Sequence, residues 1–122
     1  MPDVPGIPVK AGPSVPTVTV ADVPADLQDT VLVDVREDDE WQTGHAAGAL
    51  HLRLGELIER LSEIPDDAQI VVTCRGGGRS SRAVTWLNAN GFDAVNLEGG
   101  MRAWQESGRE LVSGNGGAGH VH

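Results

Sequence analysis

Two short runs constrain the fold of this chain more than any other feature: Val31-Leu32-Val33-Asp34-Val35 and Ile70-Val71-Val72-Thr73. Both are rich in β-branched residues and lack the apolar–polar alternation of a strand with one wet face, so each reads as a strand covered on both sides. Weaker strand candidates are Thr17 to Val20, Ala49 to Leu52 and Ala94 to Leu97. Helical patterns lie between them. Leu54, Leu57, Ile58, Leu61 and Ile64 recur at three- and four-residue spacing and predict one helix that Pro65 ends. Ala83, Val84 and Leu87 form a second stripe, closed by Asn90-Gly91-Phe92 as a left-handed cap, and Gly100 to Glu106 predicts a last short helix. Strands and helices in alternation imply an α/β fold, a parallel sheet with helices on both faces, in which ligands bind beyond the C-terminal ends of the strands.

The chain has 122 residues, room for one compact domain. Five of its seven prolines fall within the first 16 residues, and 113–119 is nearly all Gly, Ser, Asn and Ala. The expected division is a Pro-rich N-terminal extension (1–16), a folding unit (17–112) and a flexible Gly-rich tail (113–122). No apolar run approaches the roughly 20 residues that cross a bilayer, and the N-terminus lacks a basic start followed by an apolar stretch, so the expected compartment is the cytoplasm.

Charge and cysteine usage narrow the function. Nine basic residues against 18 acidic give a net charge of −9, which argues against nucleic acid and anionic membrane as partners. The single cysteine, Cys74, excludes an internal disulfide and any metal site built on paired cysteines. His120 and His122 have no fixed partner, so neither a metal nor a cofactor is expected. Within this acidic chain, residues 68–92 hold Arg75, Arg79 and Arg82 and no carboxylate. The sequence therefore carries one small cationic island.

That island contains the chemistry. A buried strand runs into Cys74-Arg75-Gly76-Gly77-Gly78-Arg79 and then into a helix beginning near Ser80, which places the cysteine at a strand's C-terminal end. Three glycines let the backbone curl with its N–H groups inward, and the helix N-terminus adds further N–H groups and the positive end of its dipole. Amides, dipole and guanidinium groups together favour thiolate over thiol and make Cys74 a candidate nucleophile. Asp34 and Arg36 read as an ion pair at the end of a strand, Glu37 to Glu40 as an acidic first helical turn, and His45 as a turn or cap residue. Arg82 is either a guide for anions or a solvated charge, and Trp86 and Trp104 belong to the core.

The segment from Cys74 to Arg79 resembles the active-site loop of the rhodanese (thiosulfate sulfurtransferase) family. Further landmarks follow in order: Asp34-Val35-Arg36, Glu40-Trp41, Gly44-His45, Gly48-Ala49, Leu97-Glu98-Gly99-Gly100 and Ala103-Trp104. Ala46 and His51 depart from the family's usual residues. The resemblance implies a three-layer α/β/α domain around a five-stranded parallel sheet, with Cys74 carrying a persulfide. It also implies that Arg75, Gly76, Gly77, Gly78 and Arg79 bind substrate, with Asp34, Arg36 and Arg82 in support. Its implied partners are a small anionic sulfur donor and a thiophilic acceptor, with a sulfur-delivery protein as a further candidate. Four residues between Cys74 and Arg79 make a tighter loop than the five of related cysteine phosphatases, and the arginines suit dianionic thiosulfate. Two other readings stay open at this point: a phosphatase or arsenate reductase on a related fold, and a noncatalytic interaction module.

Overall fold

The computed structural model describes residues 15–114 and 117–121. In chain order the elements are β1 (Thr17–Val18), β2 (Thr30–Asp34), α1 (Asp38–Thr43), β3 (Leu50–His51), β4 (Gln69–Thr73), α2 (Gly78–Ala89), β5 (Asp93–Leu97) and α3 (Gly100–Glu106). The five strands form one sheet in the order β1-β5-β4-β2-β3, and every pairing is parallel. This is the α/β architecture expected from the alternating strand and helix patterns.

The two continuous apolar runs occupy the middle of the sheet. β2 and β4 pair over their full length, from Thr30 opposite Gln69 to Asp34 opposite Thr73. Their side chains leave on alternate faces, which builds two cores. Val33, Val35, Ile70 and Val72 pack with Leu52, Leu57 and the α2 stripe of Ala83, Val84 and Leu87. Leu32 and Val71 face Met101 and Trp104 of α3, with Val20, Val23 and Leu111 around them. At roughly 1.5–3 kcal/mol for each large apolar side chain taken out of water, these two layers are the main favourable term in folding.

One expected helix is not continuous. Residues 54–64 fold as two short 3-10 turns, Leu54–Glu56 and Leu61–Glu63. Leu54, Leu57 and Ile64 are buried as the stripe predicts, whereas Ile58 is 38 % exposed. Gly55 stands in the first turn, where its high backbone entropy disfavours regular helix, and the three-residue bonds Glu56 N–H to Arg53 O and Leu57 N–H to Leu54 O close the turn instead. The cap after α2 forms as expected: Gly91 has φ +90°, and the Phe92 N–H reaches back to Leu87 O at 3.1 Å.

The expected N-terminal extension lies outside the described residues except for Val15 and Pro16, whose carbonyl accepts the Asn96 N–H at 2.7 Å. In the Gly-rich tail, the described residues lie against the domain. Val112 bridges His45 and Ala118 in antiparallel fashion, the His120 N–H donates to Thr43 O at 2.9 Å, and Val121 is buried in the α3-side core. Glycine makes the crossing possible, since a β-carbon on Gly119 would stand 2.7 Å from the Gly44 Cα.

Candidate active site

The site lies at the C-terminal edge of the sheet. Cys74 directly follows β4 and is 1 % exposed, with its sulfur on the α2 side of the sheet. The chain then turns through Arg75, Gly76 and Gly77 into α2. Gly77 has φ +113°, a left-handed conformation that aims its N–H inward, where it donates to Cys74 Sγ at 3.0 Å. Around Gly76 and Gly78 there is open space, since a β-carbon on either would meet nothing within 4 Å. The loop thus presents an amide to the sulfur below and bare backbone above.

Two sets of contacts hold this loop. Ser80, fully buried in the first turn of α2, places its Oγ 3.3 Å from Cys74 Sγ and donates to Asn96 Oδ1 on β5 at 2.5 Å. From the other side, the Met101 and Arg102 N–H groups donate to the Cys74 and Arg75 carbonyls at 2.8 and 3.1 Å, so α3 starts on the loop backbone. At the end of β2, Arg36 and Asp34 form a buried forked pair, with Nε–Oδ1 at 3.0 Å and Nη2–Oδ2 at 2.8 Å. The same guanidinium donates to Gly44 O at 2.7 Å and thereby ties β2 to the end of α1.

The arginines do not all do what the sequence suggests. Arg75 is exposed at the rim, and Arg82 is buried at 6 % exposure, which excludes the reading of it as a solvated charge. Arg79 turns to Glu40 on α1 in a two-pronged contact, Nη1–Oε1 at 2.7 Å and Nη2–Oε2 at 2.8 Å. The Arg79 guanidinium holds the Glu40 carboxyl down at about 2, and the carboxylate in turn raises the basicity of Arg79. The cationic island of the sequence is therefore met in space by an acidic helix, with Glu37, Asp38 and Asp39 exposed beside Glu40.

In the sequence Glu40 stands out only as part of an acidic helical turn and as a family landmark, and its partner lies 39 positions away, beyond the reach of any local pattern. Ser80 and Asn96 carried no sequence signal that separates them from ordinary polar residues. His45 takes the structural role expected of it, its Nδ1–H donating to Trp41 O at 2.8 Å. His51, one of the two unusual residues, donates from Nε2 to Arg36 O at 2.7 Å. Both imidazoles stack on Trp41, with ring centroids 3.7 and 4.5 Å away. Trp104 is buried and Trp86 partly buried, as core residues should be. Among the described residues no group of three His, Cys, Asp or Glu side chains could hold a metal ion, and no helix is long and apolar enough to cross a membrane.

A parallel five-stranded sheet that delivers one cysteine into a glycine-rich loop at a helix N-terminus defines a class of small α/β domains built around a held sulfur. The chain belongs to the rhodanese-like domain family, whose model matches residues 19–107. It is 40% identical over 78 residues to a Bacillus subtilis (strain 168) protein named "Putative sulfurtransferase YtwF", covering 64% of this chain and 76% of that one. It is also 40% identical over 93 residues to a protein of Allochromatium vinosum named "Sulfurtransferase", covering 75% of this chain and 87% of that one. Among solved structures, a rhodanese-related protein from Thermoplasma volcanium superposes with a TM-score of 0.75 at 31% identity, covering 80% of this chain and 97% of that one.

Proposed function

We propose that this protein is a sulfurtransferase that carries sulfane sulfur as a persulfide on Cys74, taking it from thiosulfate or a related donor and passing it to cyanide or a thiol. The carrying observation is the Gly77 N–H at 3.0 Å from Cys74 Sγ, at the mouth of α2. An amide aimed at sulfur stabilises the anion, whether thiolate or persulfide, more than the neutral thiol. The cysteine is nearly closed off. The sulfur attacked in thiosulfate is terminal and enters ahead of its sulfonate group, whereas a phosphate ester is attacked at the centre of its tetrahedron and needs a wider cradle.

The reaction is a double displacement. The Cys74 thiolate attacks the outer sulfur of thiosulfate, a new S–S bond forms, and the old one breaks with its electron pair leaving on sulfite. Arg75 at the rim and the loop amides favour the developing charge on the leaving group. The persulfide anion left on Cys74 then gives its outer sulfur to the acceptor, and the thiolate is restored. Since the chain has one cysteine, no second thiol of its own can resolve the intermediate, and the acceptor comes from outside.

The test is mass spectrometry of the intact protein. Thiosulfate followed by desalting should leave the protein heavier by one sulfur atom, with one equivalent of sulfite released, and cyanide should then restore the mass and yield thiocyanate. Cys74→Ser should take up no sulfur. Thiocyanate formed by the substituted protein would overturn the proposal.

A further inference from the structure

We propose that Glu40 is a specificity-determining residue, which holds Arg79 away from the donor and so biases the site toward singly charged sulfur donors and against dianions. The inference rests on the persulfide reading of Cys74 and adds to it a discrimination by charge. Arg79 closes the loop that begins at Cys74, and its guanidinium is one that the sequence offers for clasping an anion. Both of its outer nitrogens instead donate to one carboxylate, at 2.7 and 2.8 Å, with the two side chains only 18 and 17 % exposed.

Glu40 is itself fixed in place. Its Oε1 accepts the Glu37 N–H at 3.0 Å, and its backbone carbonyl lies 3.4 Å from Arg36 Nη1 of the buried Asp34 pair. The carboxyl titrates far below neutrality, so its charge persists over the working range. Exposed Glu37, Asp38 and Asp39 add negative charge at the same helix start. A donor approaching Cys74 thus meets Arg79 already neutralised, and each further negative charge on the donor is disfavoured by the same field.

Two donors of nearly one shape separate charge from size. Thiosulfate is a dianion; methanethiosulfonate replaces one oxygen by methyl and carries a single charge. Each gives its outer sulfur to the Cys74 thiolate, and sulfite or methanesulfinate leaves with the electron pair. The ratio of kcat/KM for the two donors, compared between variants, cancels their intrinsic reactivity. In Glu40→Gln the ratio should move toward thiosulfate by about tenfold, the scale of one unit charge acting on another at a protein surface. Methanethiosulfonate should still load Cys74, which shows that the loop is intact, and Glu40→Asp should keep the native ratio. An unchanged ratio in Glu40→Gln, an equal loss with both donors, or a Glu40→Asp protein that behaves like Glu40→Gln would overturn the inference. Failure of both donors to load the native protein would instead sink the sulfurtransferase reading, which the mass measurement reports separately.

Discussion

Gly100 sits against Arg75 so closely that a β-carbon on the glycine would lie 2.7 Å from the Arg75 carbonyl oxygen. The contact is what lets Met101 and Arg102 satisfy the Cys74 and Arg75 carbonyls, and Gly100 adopts φ +58° to make it. Gly100→Ala meets both penalties, the left-handed backbone and the overlap, and should lose at least ~2 kcal/mol of stability together with most sulfur transfer. Gly108→Ala is the control, since Gly108 has φ +84° but open space around it. It should lose some stability while leaving transfer unchanged. Similar loss of activity in both would show that α3 does not shape the loop.

How far the sequence reaches is clearest at this glycine pair. Gly99 and Gly100 stand out as a motif, yet nothing local says that Gly100 presses on the Arg75 carbonyl 25 positions earlier. The strands are readable because burial on both faces leaves an unbroken apolar run, as in Ile70 to Thr73, and the Cys74 loop because glycine and arginine are concentrated there. The segment 54–64 shows the opposite case. Its apolar spacing fits a helix and three-residue turns about equally well, and packing of Leu54, Leu57 and Ile64 beside Gly55 decides for the turns. Arg79 marks the other limit, because composition counts its charge but cannot see the carboxylate folded onto it.

The Asp34–Arg36 pair should behave as a structural element. Both side chains are essentially unexposed, at 0 and 1 %, so removing the carboxylate strands a guanidinium in the interior. Asp34→Ala should cost about 3–5 kcal/mol in urea denaturation. Arg60→Ala, which removes the exposed contacts with Glu56 and Glu63, should leave the urea midpoint nearly in place. A small effect of Asp34→Ala would mean that water reaches Arg36.

The Glu40–Arg79 pair makes stability depend on pH in a defined direction. The Glu40 carboxyl is held at about 2 in the fold, below its ordinary value near 4.5, because Arg79 bonds to the ionised form. A depressed carboxylate stabilises the fold fully above the unfolded value and loses that contribution as pH falls through the folded one. The stability difference between the native protein and Glu40→Gln should therefore be constant from pH 7 to about 5 and shrink from about 4.5 toward 2. Its size is modest, as the pair is partly solvated. A difference that stays flat in urea titrations down to pH 2.5 would show that Glu40 is not ionised against Arg79.

Ser80 should affect rate and Asn96 stability, a separation that follows from one hydroxyl proton with three acceptors in reach. Those acceptors are Asn96 Oδ1 at 2.5 Å, Gly77 O at 3.1 Å and Cys74 Sγ at 3.3 Å. While Cys74 is a thiol, the hydroxyl serves Asn96. Once the sulfur carries charge, the same hydroxyl can turn to it, and a hydrogen bond to a charged atom contributes about 1.5–3 kcal/mol. Ser80→Ala should therefore slow sulfur uptake from thiosulfate by roughly 10- to 150-fold in single-turnover measurements. Asn96→Ala removes the competing acceptor and leaves the hydroxyl beside sulfur, so uptake should persist while the unfolding midpoint falls. Equal slowing in both variants would place the network's role in loop geometry, and no slowing in Ser80→Ala would leave the Gly77 amide as the group that bears the sulfur's charge.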